Sequence, residues 1–252
     1  MTTNENRNTI VVMTLCNRPD YTRRVLDALA ACDDSEQFPV AFSCEPVNRE
    51  VIMLAKAFRQ PSFVNVGKKK VGCNVNTYYA LATGFGEYER VIALEDDTVP
   101  GKDFLRFCDW GLTQYENDKS VFSISGYQRT PQAEVGFRNA VVRERWFTPW
   151  GWATWLDRWE SVRGMWPGDD NEISWDTVID KMTRGDRHEV RPMLARIQNI
   201  GAVGGVHVPS AAWHAAHHYN PYWIDTAPGV RCDEWHEVPA VTTNALRKDH
   251  PC

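Results

Sequence analysis

Three consecutive acidic residues, Glu95, Asp96 and Asp97, directly follow the apolar run RVIAL at residues 90–94. Adjacent carboxylates repel one another, so a fold gains little from placing three of them together unless a cation neutralises them. Mg²⁺ and Mn²⁺ prefer oxygen ligands, and Mg²⁺ is commonly held by one or two carboxylates while a diphosphate and water complete its shell. The triplet therefore predicts a divalent-metal site of that kind.

Asp97 is the first-choice metal ligand within the triplet. Side chains alternate along an extended segment, so Glu95 and Asp97 are expected on one side and Asp96 on the other. Two structural alternatives stay open, namely a solvated acidic turn and capping by Asp97 of a helix that follows Pro100. The buried type of strand that precedes the triplet favours the metal interpretation.

The elements that must position the triplet alternate between strand and helix. Residues 9–15 (TIVVMTL) have the β-branched, apolar character of a buried parallel strand, and a polar turn leads from it into an amphipathic helix. Such alternation predicts an α/β fold with a mostly parallel central sheet flanked by helices, in which ligands bind beyond the carboxyl ends of the strands. Cys16, Asn17 and Arg18 would share that edge with the triplet. The predicted strands are residues 9–15, 38–44, 62–66, 90–94 and 121–125, and the predicted helices are residues 21–31, 49–58, 75–84 and 103–115.

The sequence becomes aromatic, arginine-rich and irregular after about residue 128. The chain has 11 Trp, which crowd into its second half, and we expect a Trp-rich region built onto the same sheet. Core packing is the expected role of Trp155, Trp159 and Trp166. The whole chain, 1–252, is predicted to be one domain with a first half at 9–127, a second half at 128–232 and a tail at 233–252.

Composition limits the classes of function that remain. The net charge of −5 argues against a protein that coats nucleic acid by bulk electrostatics. Arg184, Arg187, Arg191 and Arg196 could still form a basic patch, although solvated charge is the simpler interpretation. No apolar run approaches the length of a membrane span, residues 1–8 lack signal-peptide character, and the seven scattered cysteines fit reduced thiols, so a cytoplasmic protein is expected.

Three sequence blocks carry a resemblance to a known family. Residues 91–104, which contain VIALEDDTVP, resemble the E-D-D segment of the N-acetylglucosaminyltransferase I type of GT-A glycosyltransferases. A second block, shared by bacterial and phage glycosyltransferases, is similar to WGWATW at residues 150–155, and a third is similar to QNIG at residues 198–201 followed by His207. The resemblance implies a Rossmann-like GT-A fold, a UDP-sugar donor and usually Mn²⁺, with Mg²⁺ as the other candidate cation.

The same resemblance implies roles for individual residues. Asp97 would contact the cation, while Glu95 and Asp96 would hold hydroxyl groups of the sugar and the ribose. The Cys16, Asn17 and Arg18 side chains would lie near the nucleotide, and Glu45 matches the position where an acid accepts the uracil N–H.

Other residues of the blocks have two open interpretations each. Trp150 and Trp152 could stack on sugar faces, and core packing is the alternative. Gly151 indicates a close backbone approach or simply room for a turn. His207 is interpreted as a second metal or diphosphate contact, or else as a surface histidine.

Glycosyl transfer with inversion needs a carboxylate base opposite the leaving diphosphate. By the resemblance this base lies in a Trp-Asp segment, and the match here is Asp176. The alternative is that Asp176 caps a helix running to Met182, and Asp169 and Asp170 are then the next candidates.

The leading hypothesis is transfer from a UDP-sugar to a hydroxyl group of a bacterial surface saccharide or of a hydroxymethylated base in phage DNA, in a bacterial or phage-infected cell. One alternative is a non-catalytic nucleotide-sugar-binding protein. The other is a metal-dependent phosphatase or nuclease, which would want a second acid cluster for a second metal. The sequence leaves the donor sugar and the oligomeric state open.

Overall fold

A mostly parallel sheet forms the centre of the protein in the computed structural model, which describes residues 8–58, 61–128, 139–168, 173–204, 208–217, 223 and 234–238. Within these residues the sheet has nine strands in the order β11-β7-β9-β6-β8-β4-β1-β2-β3, and β10 pairs with β5 beside it. The strands are β1 Thr9–Leu15, β2 Val40–Cys44, β3 Ser62–Val66, β4 Arg90–Glu95, β5 Thr98–Pro100, β6 Val121–Ser125, β7 Ala140–Glu144, β8 Trp152–Trp155, β9 His188–Pro192, β10 Ile197–Asn199 and β11 His236–Glu237. The helices are α1 Pro19–Ala30, α2 Arg49–Lys56, α3 Gly72–Phe85, α4 Phe104–Gln114, α5 Leu156–Glu160, α6 Trp175–Val178 and α7 Ala211–His217.

The first half of the chain follows the predicted α/β pattern. Strand β1 runs parallel to both β2 and β4, and its residues are almost entirely buried because helices cover both faces of the sheet. The register pairs Leu15 with Cys44 and Thr14 with Glu95. The residues that follow these three strands therefore emerge at one edge of the sheet, as predicted.

Helices cover both faces of the sheet. Helices α1, α2 and α4 pack on one face, and α3, α5 and α6 pack on the other. Helix α3 crosses β1 closely at Gly84, where a Cβ atom would lie 2.7 Å from Val12 Cγ1. No helix in the described parts of the chain has the length and apolar character that a membrane crossing needs.

The second half of the chain adds strands that the sequence patterns did not reveal. Strand β8 lies antiparallel between β4 and β6, so residues 152–155 sit in the middle of the sheet. Strands β9 and β7 extend the same sheet, which confirms a Trp-rich region built onto it, and β11 from the predicted tail pairs with β7. Trp155 and Trp159 are core residues as predicted, and Trp166 packs against that core.

Several arginines of the second half are buried, which contradicts both interpretations offered for them. Arg184, Arg191 and Arg196 are at most 7% exposed. Arg191 pairs with Glu144, and Arg196 pairs with Asp103 at 3.5 Å. These cations serve internal ion pairs and do not form a basic surface.

Glu189 is a buried acid on β9. Its carboxylate accepts hydrogen bonds from the backbone N–H and the hydroxyl of Thr148, both at 2.9 Å, and from the hydroxyl of Ser123 at 3.2 Å. Burial raises the pKa of Glu189 to about 8, although these hydrogen bonds oppose the rise. Glu189 thereby ties the segment that leads into Trp150 and Gly151 to the sheet.

Candidate active site

The acidic triplet forms a turn between β4 and β5. Strand β4 ends at Glu95, whose N–H donates to Thr98 Oγ1 at 2.9 Å, while the same hydroxyl donates to Glu95 O at 3.0 Å. The turn interrupts the extended backbone, and Asp96 and Asp97 both pair with Arg18. The predicted alternation, with Asp96 on the side opposite to Asp97, is therefore wrong.

Arg18 supplies the positive charge next to the two buried aspartates. Their side chains are only 5% and 10% exposed, and Arg18 Nη1 lies 2.8 Å from Asp97 Oδ2. Burial raises the pKa of Asp96 and of Asp97, and Arg18 opposes that rise. Burial disfavours the charged guanidinium, but the carboxylates of Asp97 and Asp96 outweigh this and raise the pKa of Arg18. The pair is thus not a solvated acidic turn.

The free carboxylate oxygens of this turn fit a divalent cation. Asp96 Oδ2 and Asp97 Oδ1 are buried and have no hydrogen-bond partner in the described structure. No three His, Cys, Asp or Glu side chains among the described residues are arranged to hold a metal by themselves. The arrangement therefore suits a cation held by one or two carboxylates, with further oxygens from a ligand and water.

The third sequence block lies directly against the acidic turn, because β10 pairs with β5. The N–H of Ile200 donates to Asp97 O at 2.8 Å. A Cβ atom on Gly201 would lie 2.2 Å from Asp97 Oδ2. Asn199 Oδ1 accepts the N–H of Gly201 at 2.9 Å and lies 2.8 Å from His214 Nε2. Glycine at position 201 leaves the space that the Asp97 carboxylate occupies, a role that the block alone did not reveal.

Cys16 and Asn17 follow β1 at the same sheet edge, as predicted. Cys16 is half-buried and Asn17 is exposed. Burial, followed by the charges of Asp96 and Glu45, raises the pKa of the Cys16 thiol. This thiol is neutral at physiological pH and is suited to packing or weak hydrogen bonding.

Glu45 follows β2 and is 3% exposed. Its carboxylate accepts the N–H groups of Val71 and Gly72 at 2.8–3.1 Å, so it satisfies the free backbone donors at the start of α3. The contact to a uracil N–H stays a prediction. A uracil N–H would have to donate to the same carboxylate that already accepts the backbone N–H groups of α3.

Glu95 is the acid of the triplet that lies at the end of β4. It lines a cavity together with Thr77, Trp152 and Trp175. Burial, and then the charges of Asp97, Asp96 and Asp176, raise its pKa well above the usual value. The structure therefore brings Asp176 within electrostatic reach of the triplet.

Asp176 lies in the first turn of α6. The helix begins at Trp175 with Ser174 at its N-cap position, so the interpretation of Asp176 as the cap is wrong. Asn74 fixes this segment: its side chain accepts the N–H of Trp175 at 3.0 Å and donates to Ile173 O at 3.2 Å. Asn74 was not predicted from the sequence, because these partners lie about 100 residues away.

Trp152 is buried in an aromatic cluster. Its ring stacks with those of Trp175 and Phe122, with centroids 5.9 and 6.5 Å away, and meets Phe147 edge-on at 5.0 Å. The ring is 2% exposed. This placement fits the core-packing alternative.

Trp150 is partly buried and packs edge-on against Tyr127 at 4.8 Å. Gly151 has φ of +63°, and a Cβ atom there would lie 2.4 Å from Ile197 Cγ1. Both interpretations of Gly151 thus hold, because the turn and the close approach each require glycine. His207, Asp169 and Asp170 lie outside the described residues.

Comparison with known proteins identifies the family. The model of the GNT-I family matches residues 1–210 of the 252. The chain belongs to the GNT-I family. The alpha-1,3-mannosyl-glycoprotein 2-beta-N-acetylglucosaminyltransferase of Arabidopsis thaliana is 22% identical over 214 residues, which cover 77% of this chain and 47% of the relative. The chain thus spans about half the length of this curated relative.

Solved structures confirm the fold class of this GNT-I family member. S. aureus TarS residues 1–349 superpose with a TM-score of 0.56 at 12% identity, covering 75% of this chain and 59% of TarS. The same region in complex with UDP-GlcNAc gives a TM-score of 0.54 at 11% identity, with 75% and 57% covered. The predicted mostly parallel α/β fold of the GT-A type is therefore confirmed.

Proposed function

We propose that this protein transfers a sugar from a UDP-sugar to a hydroxyl group of an acceptor, with a divalent cation, Mn²⁺ or Mg²⁺, at Asp97. The observation that carries the proposal is the buried Asp96–Asp97 pair beyond β4, with one unpartnered carboxylate oxygen on each residue. Membership of the GNT-I family supports the reaction class.

Each acid of the site has a proposed task. Asp97, with Asp96 beside it, would hold the cation, which neutralises charge on the leaving diphosphate. Glu95 faces the cavity next to Trp175 and would hold a sugar hydroxyl. Asp176 would accept the proton of the attacking hydroxyl, a role supported by its position in the first turn of α6 and by the effect of its charge on Glu95. A base on the side opposite the leaving group corresponds to inversion.

UDP-GlcNAc is the first donor to test, because the Arabidopsis relative is named for N-acetylglucosaminyl transfer. For the acceptor we propose a saccharide hydroxyl. A basic surface formed by the arginines of the second half would favour the hydroxymethylated DNA base as acceptor. Because Arg184, Arg191 and Arg196 are buried in ion pairs, they do not offer a surface for DNA.

The donor proposal can be tested by thermal unfolding with UDP-GlcNAc and related UDP-sugars, in Mn²⁺ or in EDTA. A ligand that binds only the folded state raises Tm, by an amount set by its concentration relative to Kd. We expect a Mn²⁺-dependent rise for the wild type and for the exposed control Asp20→Asn, but none for Asp97→Asn. A rise with another nucleotide class, and with no UDP-sugar, would show that the donor is wrong.

A further inference from the structure

Arg18 bridges the two carboxylates at which the cation is proposed to bind. One guanidinium nitrogen pairs with Asp96 Oδ1, and Nη1 lies 2.8 Å from Asp97 Oδ2. The guanidinium also lies over the ring of Tyr21, 5.5 Å from its centroid. The Tyr21 hydroxyl is itself fixed, because it accepts the N–H of Val203 at 3.1 Å. Arg18 is therefore held in place by two ion pairs and an aromatic ring.

The guanidinium and a divalent cation compete for the same pair of acids. Arg18 takes one oxygen of each carboxylate, and the other oxygen of each is buried without a partner. A cation at those remaining oxygens would stand next to the positive guanidinium, and like charges repel strongly where water is excluded. A cation that arrives alone must therefore displace Arg18 or tolerate this repulsion.

A displaced Arg18 needs another anion, because its side chain is only 21% exposed and a buried unpaired charge is costly. A donor diphosphate supplies such an anion at the same sheet edge. A guanidinium matches the geometry of phosphate oxygens well. Cation and donor together thus leave both Arg18 and the aspartates neutralised, whereas the cation alone does not.

We propose that Arg18 is the resident counter-cation of the Asp96–Asp97 pair and that it couples cation binding to binding of the diphosphate donor. Arg18 acts here as a positioning residue: its partners are the two aspartates in the free protein and the diphosphate once the cation and the donor are bound. The inference rests on the proposed function, since it takes Asp96 and Asp97 as the place of the cation. Reciprocity requires that UDP strengthen Mn²⁺ binding by the same factor by which Mn²⁺ strengthens UDP binding.

The test measures Mn²⁺ affinity by calorimetry and by the paramagnetic resonance signal of free Mn²⁺, each with and without UDP. In the wild type we expect weak Mn²⁺ binding alone and strong binding with UDP. Arg18→Gln removes the competing charge, so Mn²⁺ alone should bind about tenfold more tightly and the factor gained from UDP should shrink about tenfold. Arg23→Gln is the matched control, because Arg23 lies on α1, which Arg18 directly precedes, and forms exposed ion pairs with Asp20 and Glu50.

Arg18→Lys keeps the inference testable if Arg18→Gln does not fold. Its ammonium keeps the positive charge but lacks the planar fork of a guanidinium, so its Mn²⁺ affinity and its coupling should lie between those of the wild type and Arg18→Gln. Equal coupling in the wild type and both variants would overturn the inference and leave the proposed function standing. Absence of Mn²⁺ binding to the wild type, with or without UDP, would overturn both.

Discussion

Gly201→Ala is a small substitution with a large expected effect on the metal site. The added methyl group would lie 2.2 Å from Asp97 Oδ2, whereas ordinary contacts begin near 3.4 Å, so the carboxylate must move by about 1 Å. That movement re-aims the carboxylate and weakens its proposed contact with the cation. A charge-assisted contact contributes about 1.5–3 kcal/mol, which corresponds to about a tenfold to a hundredfold change in affinity.

The assay for Gly201→Ala is calorimetric titration of Mn²⁺ in the presence of UDP. We expect Kd to rise about tenfold to a hundredfold, with a fold that survives, because overpacking of this size costs about 1–3 kcal/mol. Gly164→Ala is the control, since a Cβ atom there meets nothing within 4 Å. Wild-type Mn²⁺ affinity in Gly201→Ala would refute the placement of the metal at Asp97.

Two further predictions concern Asp176 and Glu189. Asp176→Asn should lower the rate of sugar transfer about 10²- to 10⁴-fold with UDP-sugar affinity unchanged, as measured by turnover and calorimetry; unchanged turnover would exclude Asp176 as the base. Because the folded pKa of Glu189, about 8, lies above the ordinary 4.5, its stabilising effect is complete below pH 4.5 and is lost as pH rises towards 8. The unfolding free energy of the wild type should therefore fall by up to about 1.4 kcal/mol per pH unit between those limits, and Glu189→Gln should not show this fall, as measured by urea unfolding. Parallel pH profiles for both proteins would contradict this.

The first half of the fold is readable from sequence because its elements are set by local patterns. Strands β1, β3 and β6 have the predicted bounds, since β-branched apolar runs are followed by polar turns. Helix α3 begins at Gly72, three residues before its predicted start. Its first turn is completed by Glu45, which lies 27 residues from Gly72, and a local pattern cannot contain that contact.

The second half resists such prediction because its central strand, β8, is buried on both faces. In β8, Ala153 and Trp155 face one core while Trp152 faces the other, so no alternation of polar and apolar residues marks the strand. The arginines mislead for a related reason. Arg196 pairs with Asp103, which is distant in sequence, and no local sequence pattern around Arg196 predicts that its side chain is buried.

The candidate site divides in the same way. The acidic triplet and its sheet edge are predictable, because the three adjacent acids and the apolar run before them can be identified from the local sequence. The pairing of Arg18 with both aspartates, and the contact of Gly201 with Asp97, depend on where a turn bends and on how β10 returns to β5. The spacing of these residues in the sequence does not predict either contact.

The insertion of β8 between β4 and β6 has a consequence for how the chain acquires its structure. These two strands are not hydrogen-bonded to each other and meet only through residues 152–155. A nascent chain that has emerged only as far as β6 would carry open strand edges where β8 later inserts, and unpaired edges invite association with other chains. The sheet is therefore completed only after β8 has paired with both strands over a long sequence distance. Such long-range pairing slows folding and makes chaperone protection valuable during synthesis.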